Sequence, residues 1–223
     1  MFTYYLIPGI VADHRAFQYV CEHLDLGNYA FIRWIAPQPG ESLPAYAGRL
    51  ARSQIDPASR PAFIGVSMGG IVAAELSRMY PDAPIALIAS AKCRYELPPY
   101  YRRAGVLNPE GWLPVNLIQQ ALLWMKPERS HLKAEYYQLF RQMLLDTPPD
   151  FFRWALGAIA RWERSTPPRQ VLHLHGTHDK LLPRKYIGEH LPIAGGKHFM
   201  IVEKAPEIAA ILSQWQSKIQ NLR

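Results

Sequence analysis

The stretch Pro61-Ala62-Phe63-Ile64-Gly65-Val66-Ser67-Met68-Gly69-Gly70 is the most informative part of the chain. Its apolar first half is typical of a buried β-strand, and the pattern that follows Gly70 predicts an α-helix. A strand and a helix joined this closely need a very tight turn, and the glycines at 65 and 69 let the two elements pass close together. The serine at the apex would stand out from the sheet beside the positive N-terminal end of the helix. This geometry is typical of a nucleophilic serine.

Composition predicts one domain with a large core, because 49% of the 223 residues are hydrophobic and only 19% are charged. No apolar run is long enough to span a bilayer, and the N-terminus does not resemble a signal peptide. The two cysteines, Cys21 and Cys93, give no disulfide framework, which favours a reducing cytoplasm. The net charge of +7 is dispersed along the chain, so no nucleic-acid partner is expected.

Apolar runs alternate with helical patterns at both ends of the chain. These runs begin near residues 3, 29, 61, 84, 170 and 190. Continuous apolar strands between helices are typical of a parallel sheet that is covered on both faces. The sequence therefore predicts a three-layer α/β/α fold with a mostly or fully parallel sheet of about six strands.

The alternation stops in the middle of the chain, where three helical patterns replace it. They span 116–125, 131–145 and 151–163. We therefore predict a core of residues 1–92 and 166–223, and a helical lid insertion at 93–165. Because the insertion directly follows a strand, one of its faces is expected to cover the serine.

Reactive residues follow the predicted strands. In an open parallel sheet, ligands bind beyond the carboxyl ends of the strands. Ser67, Asp179 and His198 each lie in a loop that leaves such an end, in the chain order of a serine triad. Here His198 would be the general base, and Asp179 would orient and stabilise its imidazole ring. Backbone N–H groups of Ile10 and Met68 would stabilise a tetrahedral oxyanion.

These residues resemble the α/β-hydrolase family. The segment 65–70 is similar to its nucleophile elbow, 175–183 (His-Gly-Thr-His-Asp-Lys-Leu-Leu-Pro) to its acid loop, and 195–199 (Gly-Gly-Lys-His-Phe) to its catalytic-histidine loop. The resemblance implies a serine hydrolase of the esterase type with a helical lid. In two respects the sequence departs from the family. Pro8-Gly9 stands where the family often has His-Gly, and nothing precedes the first strand, so the usual N-terminal antiparallel hairpin is not expected.

Other residues leave alternatives open. Asp150 and Glu203 could replace Asp179 as the acid, although Asp150 has the position of a helix cap. His173 and His175 alternate on a strand and could suggest a metal pair, but no third ligand has suitable spacing, so no metal and no cofactor are expected.

The substrate pocket is the least readable part of the sequence. Its candidates are His14 in the loop after the first strand and the large apolar residues of the insertion. The latter are Trp112, Trp124, Met125, Phe140 and Trp154. Their character suggests an apolar acyl or aromatic substrate, although such residues also pack lids.

The pattern as a whole predicts a cytoplasmic serine hydrolase that cleaves a small or medium ester or thioester through an acyl-enzyme. The same triad would also support acyl transfer, C–C bond hydrolysis or lyase chemistry, and the pocket could belong to a non-catalytic binding protein. The sequence leaves the natural substrate and the oligomeric state open.

Overall fold

A six-stranded sheet organises the chain in a computed structural model that describes residues 1–106, 114–124 and 133–221. The strands are β1 (Thr3–Ile7), β2 (Tyr29–Phe31), β3 (Pro61–Val66), β4 (Ile85–Ile88), β5 (Val171–Gly176) and β6 (Leu191–Ile193). Their order is β2-β1-β3-β4-β5-β6, and every neighbouring pair is parallel. The predicted parallel sheet of six strands is confirmed.

Helices cover both faces of this sheet. The α-helices of the described residues are α1 (Gln18–Cys21), α2 (Leu43–Gln54), α3 (Met68–Leu76), α4 (Pro99–Val106), α5 (Val115–Trp124), α6 (Ala134–Asp146), α7 (Pro149–Ala160), α8 (Met200–Glu203) and α9 (Ala205–Gln220). The sequence of β3 is continuously apolar because both of its faces are buried. Phe63 packs into the core beneath α2, α3 and α7, whereas its neighbour Ile64 packs into the core beneath α1, α8 and α9.

Between β4 and β5, the regular structure of the described residues is entirely helical, with loops at both ends of the segment. The three predicted helices correspond to α5, α6 and α7, but α4 was not predicted. Its eight residues include Gly105, which weakens a helical signal. That glycine is needed for packing, because a Cβ there would collide with the backbone oxygen of Ala160 in α7.

Two element boundaries differ from the sequence prediction. The apolar run that begins at Tyr29 predicts a strand as far as Ile35, but β2 ends at Phe31, and the residues from there to Pro37 have no regular structure. Asp150 does not cap α7, because Pro148 holds the N-cap position and Asp150 lies in the first turn. In the described part of the chain, no helix combines the length and apolar character needed to cross a bilayer.

Candidate active site

Ser67 occupies a strained turn between β3 and α3. Its φ of 53° and ψ of −120° lie in a region that residues with a side chain rarely adopt. The hydroxyl of Ser90, just beyond β4, donates a hydrogen bond to the Ser67 carbonyl oxygen at 2.6 Å and so holds the turn. This turn places the Ser67 side chain at the carboxyl edge of the sheet, where it is partly accessible to solvent.

Gly65 allows the strand and the helix to approach each other around this turn. A Cβ at position 65 would lie 2.5 Å from both the Gly69 oxygen and the Gly70 Cα, and these backbone atoms cannot move independently. We expect Gly65→Ala to lower the free energy of unfolding in urea by about 3 kcal/mol, as overpacking does in a tight core.

The matched control is Gly48→Ala, within α2, where the nearest atoms are the ends of two flexible side chains at 3.5 and 3.8 Å. Because alanine stabilises a helix more than glycine does, this change should raise the free energy of unfolding by about 0.5–1 kcal/mol. A Gly65→Ala variant as stable as the wild type would show that β3 and α3 do not meet this closely.

Three predicted residues meet at the edge of the sheet. The Oγ atom of Ser67 lies 2.8 Å from Nε2 of His198, and Nδ1 of the same ring lies 2.8 Å from Oδ2 of Asp179. Asp179 follows β5 and His198 follows β6, whereas Ser67 follows β3. The parallel sheet therefore brings together residues that are far apart in the sequence.

The Asp179 carboxylate is fully buried but well supported. Its Oδ1 accepts hydrogen bonds from the backbone N–H groups of Leu181 and Leu182, both at 2.9 Å. Burial alone raises the pKa of Asp179, but the hydrogen bond and charge interaction with His198 and the hydrogen bond from the Leu182 N–H outweigh it, so the net pKa lies below its ordinary value. An ionised Asp179 accepts a hydrogen bond from Nδ1–H of His198, which keeps the ring proton on Nδ1 and leaves Nε2 free to accept the proton of Ser67.

The two predicted oxyanion donors belong to backbone segments that border Ser67. Met68 follows it directly and begins α3, and Ile10 lies in a turn in which the Ala12 N–H donates to the Gly9 oxygen. A Cβ at Gly9 would be 3.5 Å from the Ser67 Cβ, so this turn lies against the serine. Within the described residues, neither the Met68 nor the Ile10 N–H has a recorded acceptor. Proline lacks only its own backbone N–H. The substitution of proline for the family's usual histidine at position 8 therefore leaves the N–H groups of Ile10 and Met68 in place.

A cleft of about 390 Å³ opens beside the same turn. It is lined by Pro8, His14, Phe31, Trp34, Met143 and Phe151, among others. Sequence reasoning missed Trp34, although it follows β2 at the carboxyl edge of the sheet and so carried a positional signal. A larger cleft of about 470 Å³ lies near Arg78 and Arg164. The described lining of neither cleft includes Ser67, Asp179 or His198, but the smaller cleft adjoins the turn that lies against Ser67.

The pocket candidates from the insertion have different environments. Trp112 and Met125 lie outside the described residues. Trp124 is 86% exposed, and Trp154 packs in the core against Tyr46 at a ring distance of 4.2 Å. These two tryptophans therefore do not line the described cleft. Phe140 is half-buried and contacts Phe199, the residue after His198, with ring centroids 6.0 Å apart.

The alternative acids lie elsewhere. The Asp150 side chain is 92% exposed and pairs with Arg153 at 3.0 Å. Glu203 lies in α8 and pairs with Lys197 at 3.3 Å. Neither has a recorded hydrogen bond to the His198 ring among the described contacts, whereas Asp179 does.

His173 and His175 are buried next to each other on β5, with ring centroids 5.5 Å apart. Each directs Nε2 at a backbone oxygen, that of Ser90 at 3.1 Å and that of Leu182 at 2.8 Å, so this nitrogen is a donor. Burial, followed by the charge of Lys92, holds the pKa of His173 well below its ordinary value. No group of three or more His, Cys, Asp or Glu in the described part of the chain could hold a metal ion.

A parallel sheet with a serine, an aspartate and a histidine at its carboxyl edge is the architecture of an α/β hydrolase. Comparison with family models agrees. Residues 6–211 match the model described as the alpha/beta hydrolase family, and the chain belongs to this family. A search of curated proteins gives no significant match.

Solved structures share the fold at low sequence identity. A thermophilic esterase from Thermogutta terrifontis with malate bound has a TM-score of 0.74 and 19% identity, over 98% of this chain and 90% of that one. A structure from a study of carboxylesterases of Nitrososphaera gargenis has a TM-score of 0.73 and 15% identity, over 100% and 92%. A hydrolase from Pseudomonas aeruginosa PA01 has a TM-score of 0.68 and 16% identity, over 96% and 89%. Many solved structures with this fold are therefore esterases and other hydrolases.

Proposed function

We propose that this protein is a serine hydrolase that cleaves a small or medium carboxylic ester or thioester through an acyl-enzyme. The observation that carries the proposal is the hydrogen-bonded series from Ser67 Oγ to His198 and on to Asp179, with both links at 2.8 Å. Family membership and the esterases among the structural relatives support the reaction class.

The reaction proceeds in two halves. Ser67 Oγ attacks the substrate carbonyl carbon while Nε2 of His198 takes its proton. The tetrahedral oxyanion receives hydrogen bonds from the N–H groups of Met68 and Ile10, and its collapse releases the alcohol or thiol, which takes the proton from His198. Water then attacks the acyl-enzyme, giving up a proton to His198. The second collapse releases the acid and returns that proton to Ser67. Asp179 stabilises the imidazolium in both halves.

The cleft beside the turn at Pro8 combines aromatic and charged surface. Phe31, Trp34 and Phe151 supply the aromatic part, whereas the lining also includes the polar or charged residues Asp13, His14, Arg33 and Asp146. We assign this cleft to the acyl or alcohol group of the substrate. Helices α4–α7 form the lid in this proposal, with the contact of Phe140 with Phe199 next to His198 as its support.

Labelling and turnover test the proposal together. The wild-type protein should react with a fluorophosphonate at Ser67, identified by mass spectrometry of the modified peptide. It should also hydrolyse p-nitrophenyl esters, with higher kcat/KM for short and medium acyl chains than for long ones. A protein that folds but neither reacts nor turns over any ester or thioester would favour the binding-protein alternative.

A further inference from the structure

The Gly9 carbonyl oxygen is held by two donors. The indole Nε1–H of Trp34 donates to it at 3.0 Å, and the Ala12 backbone N–H donates to it at 3.1 Å. One donor comes from the turn itself. The other comes from a half-buried side chain that follows β2, the strand next to β1 in the sheet.

This oxygen belongs to the same peptide unit as the Ile10 N–H. In a planar trans peptide, the C=O and the N–H point in opposite directions. A carbonyl held towards the Trp34 indole therefore turns the Ile10 N–H away from it. Gly9 lies against Ser67, and the Ile10 N–H has no recorded acceptor among the described residues.

Glycine at position 9 gives this restraint a purpose. Because glycine has no Cβ and restricts its own backbone dihedrals least, the peptide after Gly9 is held less by local sterics than it would be after another residue. The indole that restrains it is itself fixed. Its ring centroid lies 5.4 Å from that of Phe151 and 6.2 Å from that of Tyr46.

We propose that Trp34 is a positioning residue that orients the Ile10 N–H as an oxyanion donor by holding the Gly9 carbonyl. The inference rests on the proposed function, because it assigns a role in stabilising the same tetrahedral intermediate. Since Phe151 lies in the first turn of α7, its contact with the indole also connects this helix to the oxyanion hole.

The test is Trp34→Phe, which keeps an aromatic ring between Phe151 and Tyr46 but removes the N–H donor. We expect kcat for a p-nitrophenyl ester to fall by about 10- to 100-fold with less than about a threefold change in KM, somewhat less than the loss of an entire oxyanion donor. Inhibition by phenylboronic acid, which forms a tetrahedral adduct with a serine oxygen, should weaken by a similar factor.

The matched control is Trp162→Phe. The indole of Trp162 also donates a buried hydrogen bond, to Glu75 Oε1 at 2.8 Å, and among the described contacts it has no hydrogen bond to the turn after β1. This variant should lose thermal stability and keep the wild-type kcat. If Trp34→Phe does not fold, replacement of Trp34 by benzothienylalanine keeps the ring shape without the N–H and gives the same test.

The outcomes separate the two proposals. If the wild type turns over esters but Trp34→Phe keeps kcat and boronate affinity within about twofold, the positioning role is wrong and the hydrolase proposal stands. A rise in KM alone would also overturn it, because the indole would then act only as a wall of the cleft. A wild type without turnover would overturn both.

Discussion

Ser67→Ala is expected to lower kcat for a p-nitrophenyl ester by about 10⁵- to 10⁶-fold and to abolish fluorophosphonate labelling. The reason is that Oγ is the atom that would form the covalent bond, and no second hydroxyl is recorded at hydrogen-bonding distance from His198 Nε2 among the described contacts. Any remaining turnover would come from the backbone donors and from substrate binding alone.

The matched control for this variant is Ser53→Ala. The Ser53 hydroxyl donates to the Leu50 carbonyl within α2, away from the carboxyl edge of the sheet. Its loss should leave kcat within about twofold, as is usual for changes far from the reacting atoms. Circular dichroism should show that Ser67→Ala keeps the fold, because alanine and serine both have a Cβ and are similarly strained at the positive φ of this turn.

A double variant provides a further check on the same claim. Residues that act as one catalytic unit have strongly non-additive effects. Ser67→Ala combined with His198→Ala should therefore be no slower than Ser67→Ala alone. Labelling that persists in Ser67→Ala, or turnover above about 1% of the wild-type rate, would contradict the assignment of Ser67 as nucleophile.

The sequence predicted the sheet and the meeting of Ser67, Asp179 and His198 because both depend on local signals. Each residue lies in the turn or loop that follows an apolar strand, and parallel strands bring their carboxyl ends to one edge. Proximity in space thus follows from chain topology, without knowledge of any side-chain contact.

The cleft could not be predicted in this way. Whether a tryptophan at helical spacing faces a cleft or the core depends on its partner, and for Trp154 that partner is Tyr46, more than a hundred residues away. Trp34 does line the cleft, and its proposed role depends on one hydrogen bond, from its indole to the Gly9 carbonyl. Hydrophobic periodicity predicts neither the Trp154–Tyr46 contact nor this hydrogen bond.

Asp179→Asn should lower kcat by about 10⁴-fold while leaving fluorophosphonate labelling slow but detectable. An asparagine can donate its amide N–H to Nδ1 of His198, which moves the ring proton to Nε2. That nitrogen then can no longer accept the Ser67 proton. The matched control Asp150→Asn changes an exposed carboxylate and should keep the wild-type rate. Equal activity of Asp179→Asn and the wild type would require Glu203 or another acid instead.

The same variant should change the pH dependence of stability. The folded-state pKa of Asp179 lies below its ordinary value, because the hydrogen bonds from His198 and the backbone outweigh the effect of burial. Its carboxylate therefore contributes stability above the unfolded-state pKa, near pH 4, and that contribution is lost as the pH falls through the folded-state pKa. Asparagine has no proton to gain, so the free energy of unfolding of Asp179→Asn should fall less steeply below about pH 4 than that of the wild type. If the free energy of unfolding, measured in urea, falls equally steeply with pH in the wild type and in Asp179→Asn, these contacts do not hold Asp179 ionised. Asp179 would then not explain why Nε2 of His198 is unprotonated.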